Sequence, residues 1–266
     1  MQTDPFISRQ IDLNLDIGQG IGQQVLEKDL LPYATSVNVS TGAHSGDPSY
    51  IDQSIKACKQ YETIMLGGLI SYPDVLGFGL RKIQLSNDEL RASILMQLGG
   101  LAALAKSYNY EINHVRAHGY LYHQMVSNYS IAETVVKAIQ EFSKWIILLS
   151  PHSSVIQEVG SWTSIRVAYE ARFDLRYRND GSLISFDLEK DGDLDIDLAT
   201  QRARDLVYKS SVKTEEGPEH ELKFESIHLP SRLKNSLDIA KLVRSMILKP
   251  LPLKTIDYEP YLAEFL

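Results

Sequence analysis

The 266-residue sequence contains a single cysteine, Cys58. One thiol excludes an internal disulfide bond and a zinc site built from cysteines. Cys58 falls in a segment whose apolar residues have helical spacing. We therefore predict a small buried side chain at this position rather than a reactive thiol.

Long apolar runs are also missing. No stretch approaches the roughly 20 apolar residues that a membrane-spanning helix needs. The first ten residues lack the basic start and the apolar run of a signal peptide. We therefore expect a cytoplasmic protein with no membrane association.

No basic stretch is present. The chain has 27 Lys and Arg residues against 34 Asp and Glu residues, for a formal net charge of −7. A nucleic-acid surface needs clustered cations, so none is expected. A Walker A motif is absent, and the glycine-rich turn Gly18–Gly22 is followed by Gln23 where a dinucleotide motif requires glycine. We predict that this chain binds no cofactor of its own.

Strand-like and helix-like segments alternate along the chain, and 44% of the residues are hydrophobic. Strands are predicted at Ile11–Asp16, Thr35–Ser40, Thr63–Ile70, Ile112–Arg116, Trp145–Leu149, Ser164–Ala168 and Phe224–Leu229. Helices are predicted at Tyr50–Tyr61, Asn87–Tyr108, Ile131–Phe142, Leu198–Lys209 and Leu237–Leu248. About seven βα units favour an α/β protein with a closed (β/α)7-type barrel over a doubly wound sheet. We predict one barrel domain over residues 1–249 and a surface tail over 250–266.

Three polar residues alternate along the first predicted strand: Asp12, Asn14 and Asp16. Alternate residues of a strand share one face, which in a barrel is the interior. For Asp12 alone, capping of local backbone is a sufficient explanation. The three together indicate an active site, because barrel enzymes place their chemistry at the C-terminal ends of strands.

Two further clusters follow strand-like runs. His44 and Asp47 lie in a turn rich in glycine and serine, which favours a functional role for both. Arg116 and His118 end the fourth predicted strand. His118 can act as a general acid or base, and Arg116 can hold a carboxylate through two hydrogen bonds. His114 on the same strand is predicted to be structural.

These clusters resemble the motifs of the LamB/YcsF family, described as the A subunit of the ATP-dependent 5-oxoprolinase. The family's first motif is Asp-Leu-Asn-x-Asp-x-Gly-Glu, and this chain keeps all but the last residue, which is Gln19. Residues 42–48 match the second motif, Gly-x-His-x-Gly-Asp-Pro, at five positions. The resemblance runs from about residue 11 to about residue 248. It implies a barrel similar to that of the polysaccharide deacetylases and glycoside hydrolases.

The chain departs from the family pattern at several polar positions, which marks it as a divergent member. Leu69 stands where the third motif has His, and Leu175 stands where a later motif has Arg. The last motif, His-Gly-Asp, is replaced by Pro230-Ser231-Arg232. Because Leu69 cannot ligate a metal, we predict no metal site.

The resemblance implies hydrolytic opening of 5-oxoproline to glutamate, with ATP used through partner proteins similar to 5-oxoprolinase subunits B and C. The predicted catalytic residues are Asp12, Asp16 and His118. The predicted substrate-binding residues are Asn14, His44, Asp47, Tyr72, Arg116 and Tyr122. Two alternatives stay open: a divergent paralogue that binds or regulates with little turnover, and a stand-alone deacetylase-like hydrolase of carbohydrates or amides.

Overall fold

The computed structural model describes residues 11–20, 27–61, 63–184, 194–233 and 235–247. The predicted domain end at residue 249 and the predicted tail over 250–266 lie outside these ranges and stay predictions. The strands of the described chain are β1 (Asp12–Ile17), β2 (Ser36–Ser40), β3 (Met65–Ile70), β4 (His114–Ala117), β5 (Ile147–Ser150), β6 (Val167–Ala171), β7 (Ser211–Lys213), β8 (Glu219–Glu221) and β9 (Ser226–Leu229).

Seven of these strands close into a parallel barrel in the order β1-β2-β3-β4-β5-β6-β9. Closure occurs because β9 pairs with β6 on one side and with β1 on the other. The register places Asp16 beside Asn38 and Asn14 beside His228. The predicted seven-stranded α/β barrel is thus confirmed. β7 and β8 form a separate antiparallel pair that the sequence pattern did not predict.

Helices alternate with the barrel strands. They are α1 (Glu27–Leu30), α2 (Pro48–Cys58), α3 (Asn87–Lys106), α4 (Gly119–Met125), α5 (Tyr129–Phe142), α6 (Ser154–Thr163), α7 (Ile196–Arg204) and α8 (Ser236–Met246). A 3-10 turn, Leu31–Tyr33, follows α1, and a π-helical turn, Asp205–Lys209, continues α7. No described helix is both long enough and apolar enough to cross a membrane.

Local signals determine where the long helix α3 begins and which face it buries. The Ser86 hydroxyl accepts a bond from the Glu89 amide, and the Glu89 carboxylate accepts one from the Ser86 amide. This capping box satisfies two amides that the first turn leaves without helical partners. The buried side chains of α3 recur at spacings of three and four: Leu90, Ile94, Leu98 and Leu101. Full burial of such a side chain contributes roughly 1.5–3 kcal/mol.

The barrel interior is polar on one side and apolar on the other. Asp12, Asn14 and Asp16 on β1 share the interior face, as the alternation predicted, and their side chains bond to groups on β2 and β9. Across the barrel, β5 and β6 supply a small apolar cluster that is separate from the main core: Ile147, Leu149 and Ala168. The polar side of the interior continues toward the C-terminal ends of the strands, where the candidate site lies.

Candidate active site

Asp12 lies deep in the barrel and is 1% exposed. Its carboxylate accepts hydrogen bonds from the hydroxyls of Thr35 (2.7 Å), Ser36 (3.0 Å) and Ser226. These bonds tie β1 to its neighbours β2 and β9. Asp12 thus links three strands and is not among the residues that line the cavity described below, and its catalytic role stays a prediction.

Above this layer, Asn14 anchors a network of amides and imidazoles. Its side-chain oxygen accepts bonds from the Asn38 amide (2.9 Å) and from Nδ1 of His228 (2.8 Å). Since an amide oxygen only accepts, Nδ1 of His228 carries the hydrogen and Nε2 keeps its lone pair. Asn38 also accepts a bond from Nε2 of His114 (2.9 Å). Asn14 thus orients His228 and is not among the residues that line the cavity, and its predicted contact with substrate stays a prediction.

The third layer is centred on Arg116, whose side chain is 2% exposed. Its Nε and Nη2 donate to the two carboxylate oxygens of Glu170, both at 2.8 Å. Its Nη1 donates to Asp16 at 3.1 Å. The Tyr122 hydroxyl donates to Glu170 at 2.5 Å, and the Arg116 guanidinium lies over the Tyr122 ring. The charge of Arg116 is therefore already balanced by two carboxylates, which leaves it poorly suited to hold a substrate carboxylate.

The two carboxylates differ in proton affinity. Burial raises the pKa of Asp16 above its ordinary value, and Arg116 only partly offsets this. Burial also acts to raise the pKa of Glu170, but attraction to Arg116 and its paired hydrogen bonds outweigh burial, so that pKa is lowered. Glu170 is thus the fixed counterion of Arg116. Asp16 is the carboxylate that can exchange a proton.

A cavity of about 500 Å³ opens at the C-terminal end of the barrel. Four of the predicted site residues line this cavity: Asp16, Arg116, His118 and Tyr122. They come from the ends of β1 and β4 and from the start of α4. The other predicted residues lie outside this lining: Asp12, Asn14, His44, Asp47 and Tyr72.

His44 lies directly behind His118. Their rings stack with centroids 4.1 Å apart, and Phe78 meets both edge-on. Nε2 of His118 donates to the Phe78 carbonyl at 3.1 Å, so Nδ1 is the ring's acceptor. Burial lowers the pKa of His44 to about 3, and burial together with His44 lowers that of His118 well below its ordinary value. Both imidazoles are therefore neutral near pH 7.

Asp47 and Tyr72 have other places in the fold. Asp47 is the N-cap of α2, where its carboxylate accepts bonds from the amides of Ser49 (2.9 Å) and Tyr50 (3.0 Å). Tyr72 is 1% exposed and belongs to the main hydrophobic core. Neither is among the residues that line the cavity, and their predicted substrate-binding roles stay predictions.

The polar cavity residues that the site predictions missed include His228, Arg172 and Arg232. Nε2 of His228 lies 4.0 Å from Asp16. Arg172 pairs with Asp174 through two hydrogen bonds. A usable signal existed, since all three lie on or just after barrel strands, where side chains reach the C-terminal opening.

Leu69 occupies the barrel interior beside Arg116 in the strand register and is fully buried. An apolar side chain thus fills the position where the resemblance placed an imidazole. In the described ranges, no group of three or more His, Cys, Asp or Glu side chains is arranged to hold a metal ion. The absence of a metal stays a prediction.

This arrangement suits proton transfer at a carbonyl or at an attacking water. Burial raises the pKa of Asp16 above its ordinary value, which suits it to exchange a proton as a general base or acid. The lone pair of the His228 Nε2 lies close to it, and the neutral His118 lines the same cavity. Asp16, His228 and His118 are therefore the groups available for acid–base chemistry.

Comparisons with known proteins find relatives along nearly the whole chain. The LamB/YcsF family model matches residues 11–252. A Campylobacter jejuni protein, named as the A subunit of 5-oxoprolinase, is 33% identical over 242 residues, which are 90% of this chain and 94% of the relative. A Pyrococcus abyssi protein of the same name is 32% identical over 253 residues, covering 92% and 98%.

A solved structure shares the fold. The lactam utilization protein of Thermus thermophilus superposes with a TM-score of 0.82 at 25% sequence identity. The alignment covers 91% of this chain and 99% of that protein. The seven-stranded barrel and the cavity at its C-terminal end are thus set in a fold already seen in a protein of that description.

Proposed function

Because this chain belongs to the LamB/YcsF family, we propose that it serves as the A-type component of an ATP-dependent 5-oxoprolinase. The relatives that carry the 5-oxoprolinase name align over nearly their whole length, which supports this proposal. The proposed reaction opens the lactam of 5-oxoproline and yields glutamate.

The observation that carries the proposal is the position of Asp16. It is a buried carboxylate with a raised pKa at the wall of a cavity, and it lies 4.0 Å from a histidine lone pair. Water that attacks the lactam carbonyl must lose a proton as its oxygen bonds to carbon. Asp16 takes that proton in the proposed mechanism and passes it to the free Nε2 of His228, which delivers it to the ring nitrogen as the C–N bond breaks.

The lactam needs activation, because an amide in an unstrained five-membered ring resists attack. Transfer of a phosphoryl group from ATP to the amide oxygen would provide it: attack by one water and cleavage of the C–N bond would then give an acyl phosphate, which a second water would hydrolyse to glutamate and phosphate. The sequence offers no Walker A motif for ATP. We therefore assign ATP use to partner proteins similar to subunits B and C.

The test combines this chain with its genomic partners, ATP and 5-oxoproline, and assays glutamate. We expect glutamate only in the complete mixture, and a loss of about a hundredfold to ten-thousandfold with Asp16→Asn. Turnover by the chain alone would refute the partner requirement. Turnover that survives Asp16→Asn would remove Asp16 from the mechanism.

A second function is favoured by one cavity residue. Gln19 stands where the family motif has Glu, and an amide cannot act as a base. A paralogue that binds the lactam without opening it would fit this replacement. Binding of 5-oxoproline with no glutamate from the complete mixture would support that function.

A further inference from the structure

Arg232 differs from the other arginines of the cavity. Of the three that the described lining contains, Arg116 is held by Asp16 and Glu170, and Arg172 is held by Asp174. No carboxylate of the described chain lies within ion-pair distance of Arg232. It therefore brings to the cavity a positive charge that has no ion-pair partner in the described ranges, where Asp16 attracts it from beyond ion-pair distance.

An aromatic ring supports this guanidinium. Its Cζ lies 3.9 Å from the centroid of the Phe78 ring, which is the range of a cation–π contact. Phe78 is in turn fixed by edge contacts with His44 and His118. The stacking supports the planar group on one face and leaves its N–H donors, which lie in the plane, for another partner.

Burial of an unpaired cation costs free energy, so a buried arginine without a carboxylate beside it indicates that another partner binds there. Arg232 is half-buried, and burial lowers its pKa, although an arginine side chain stays protonated in proteins. A buried charge is normally paired with an opposite charge. The missing partner is therefore expected to be an anion that enters the cavity.

We propose that Arg232 is the specificity-determining anchor for a substrate carboxylate, held through paired N–H donors. The inference rests on the proposed function, since 5-oxoproline carries one carboxylate beside its lactam. It moves the anchor from Arg116, whose donors already meet protein carboxylates.

Gln19 complements this assignment on the same cavity wall. Its side chain is 1% exposed, and its side-chain oxygen has no hydrogen-bond partner in the described chain. An amide oxygen of this kind can accept a bond from the N–H of a lactam. A cation for the carboxylate and an acceptor for the N–H match two neighbouring polar groups of 5-oxoproline.

Calorimetric titration of the full chain with three ligands tests the proposal. The ligands are 5-oxoproline, its uncharged primary amide, and cyclopentanecarboxylate, which keeps the carboxylate but lacks the lactam. We expect the wild type to bind the two carboxylates and to bind the uncharged amide about tenfold to a hundredfold more weakly than 5-oxoproline. Arg232→Gln should weaken carboxylate binding by a similar factor, and Arg232→Lys by less.

A matched control is Arg91→Gln, which removes a surface arginine paired with Glu141 on α5. It should leave all three affinities unchanged. Circular dichroism of each variant shows whether the fold is kept, and Arg232→Lys serves as the measurement if Arg232→Gln does not fold.

The outcomes separate this inference from the proposed function. Cyclopentanecarboxylate binding that depends on Arg232, with no preference for 5-oxoproline, would support the anchor and contradict the lactam function. Equal binding of 5-oxoproline and its amide, unaffected by Arg232→Gln, would overturn the anchor and leave the lactam function standing. Failure of the wild type to bind any of the three ligands would overturn the anchor.

Discussion

Arg116 and its two carboxylates set the properties of the cavity floor. Glu170 meets the guanidinium with two parallel bonds at 2.8 Å, whereas Asp16 meets it at 3.1 and 3.4 Å. Paired bonds of this kind are the stronger arrangement. The unequal sharing explains why the pKa of Glu170 falls while that of Asp16 rises.

Removal of the central cation should destabilise the protein strongly. Arg116→Met would leave Glu170 and Asp16 buried without their counterion. We expect the free energy of unfolding to fall by about 3–5 kcal/mol, measured by urea denaturation. Arg91→Gln, at the surface pair, should cost much less. Equal losses in the two variants would contradict the central place of Arg116.

Asp16 should make stability depend on pH in a defined direction. Its folded-state pKa is raised above the unfolded value of about 3.9, so the folded protein holds that proton more tightly. Its contribution to stability is thus full below the unfolded pKa and is lost as pH rises through the folded-state pKa.

Asp16→Asn removes this titration. The free energy of unfolding of the wild type, minus that of the variant, should therefore decrease as pH rises from about 4. Urea denaturation of both proteins across the acidic range measures the difference. A difference that grows with pH would show that the folded-state pKa of Asp16 is lowered instead.

At the scale of elements, α2 shows how a motif residue can serve the fold. Asp47 is exposed at the start of the helix, and two amides of the first turn of α2 bond to its carboxylate. An N-cap aspartate satisfies donors that the helix itself leaves free. The glycine-rich turn that precedes Asp47 positions His44 behind His118. Residues of this motif therefore support His118, which lines the cavity, and do not line the cavity themselves.

Asp47→Ala should destabilise the protein by about 1 kcal/mol and leave the affinity for 5-oxoproline unchanged. Asp47→Asn keeps a side-chain acceptor and should restore most of the stability. Thermal or urea denaturation measures the first effect, and calorimetry measures the second. A loss of affinity without a loss of stability would return Asp47 to the binding site.

Elements were more predictable than the roles of single side chains. The alternation of apolar segments placed six of the seven barrel strands within about two residues of their observed bounds, because local periodicity reflects burial, but it placed β6 three residues too early. It missed α1, α4 and α6, and it missed the pair β7–β8, whose strands have only three residues each. The short helix α4 follows β4 directly and has too few turns for a periodic signal.

Site residues were predicted where a strand end alone fixes their place, as for Asp16 and His118. The roles of residues were missed where they depend on which partner a side chain meets across the barrel. The sequence does not show that Glu170, 54 residues from Arg116, neutralises it. Nor does a local pattern reveal that Arg232 has no ion-pair partner among the residues that the structure describes.

At the scale of the whole molecule, the apolar groups that stabilise the fold and the polar groups available for chemistry lie in different layers of the barrel. The apolar layer between strands and helices holds the main core, while the interior carries a hydrogen-bonded column from Asp12 through Asn14 to Asp16. Buried polar groups are tolerated only when they are paired, and each member of this column has a partner. The column fixes the orientation of the groups at the top.

The distribution of ligating side chains predicts the metal content. Cys58 is buried in α2, where burial raises the pKa of its thiol to about 12, and Leu69 fills the interior position where the family motif has an imidazole. Zinc needs three or four well-placed donors. We therefore expect metal analysis of the purified protein, after extensive dialysis, to find no stoichiometric zinc. About one zinc per chain, lost in both Asp16→Asn and His228→Gln, would show instead that these two side chains ligate a metal at the cavity floor.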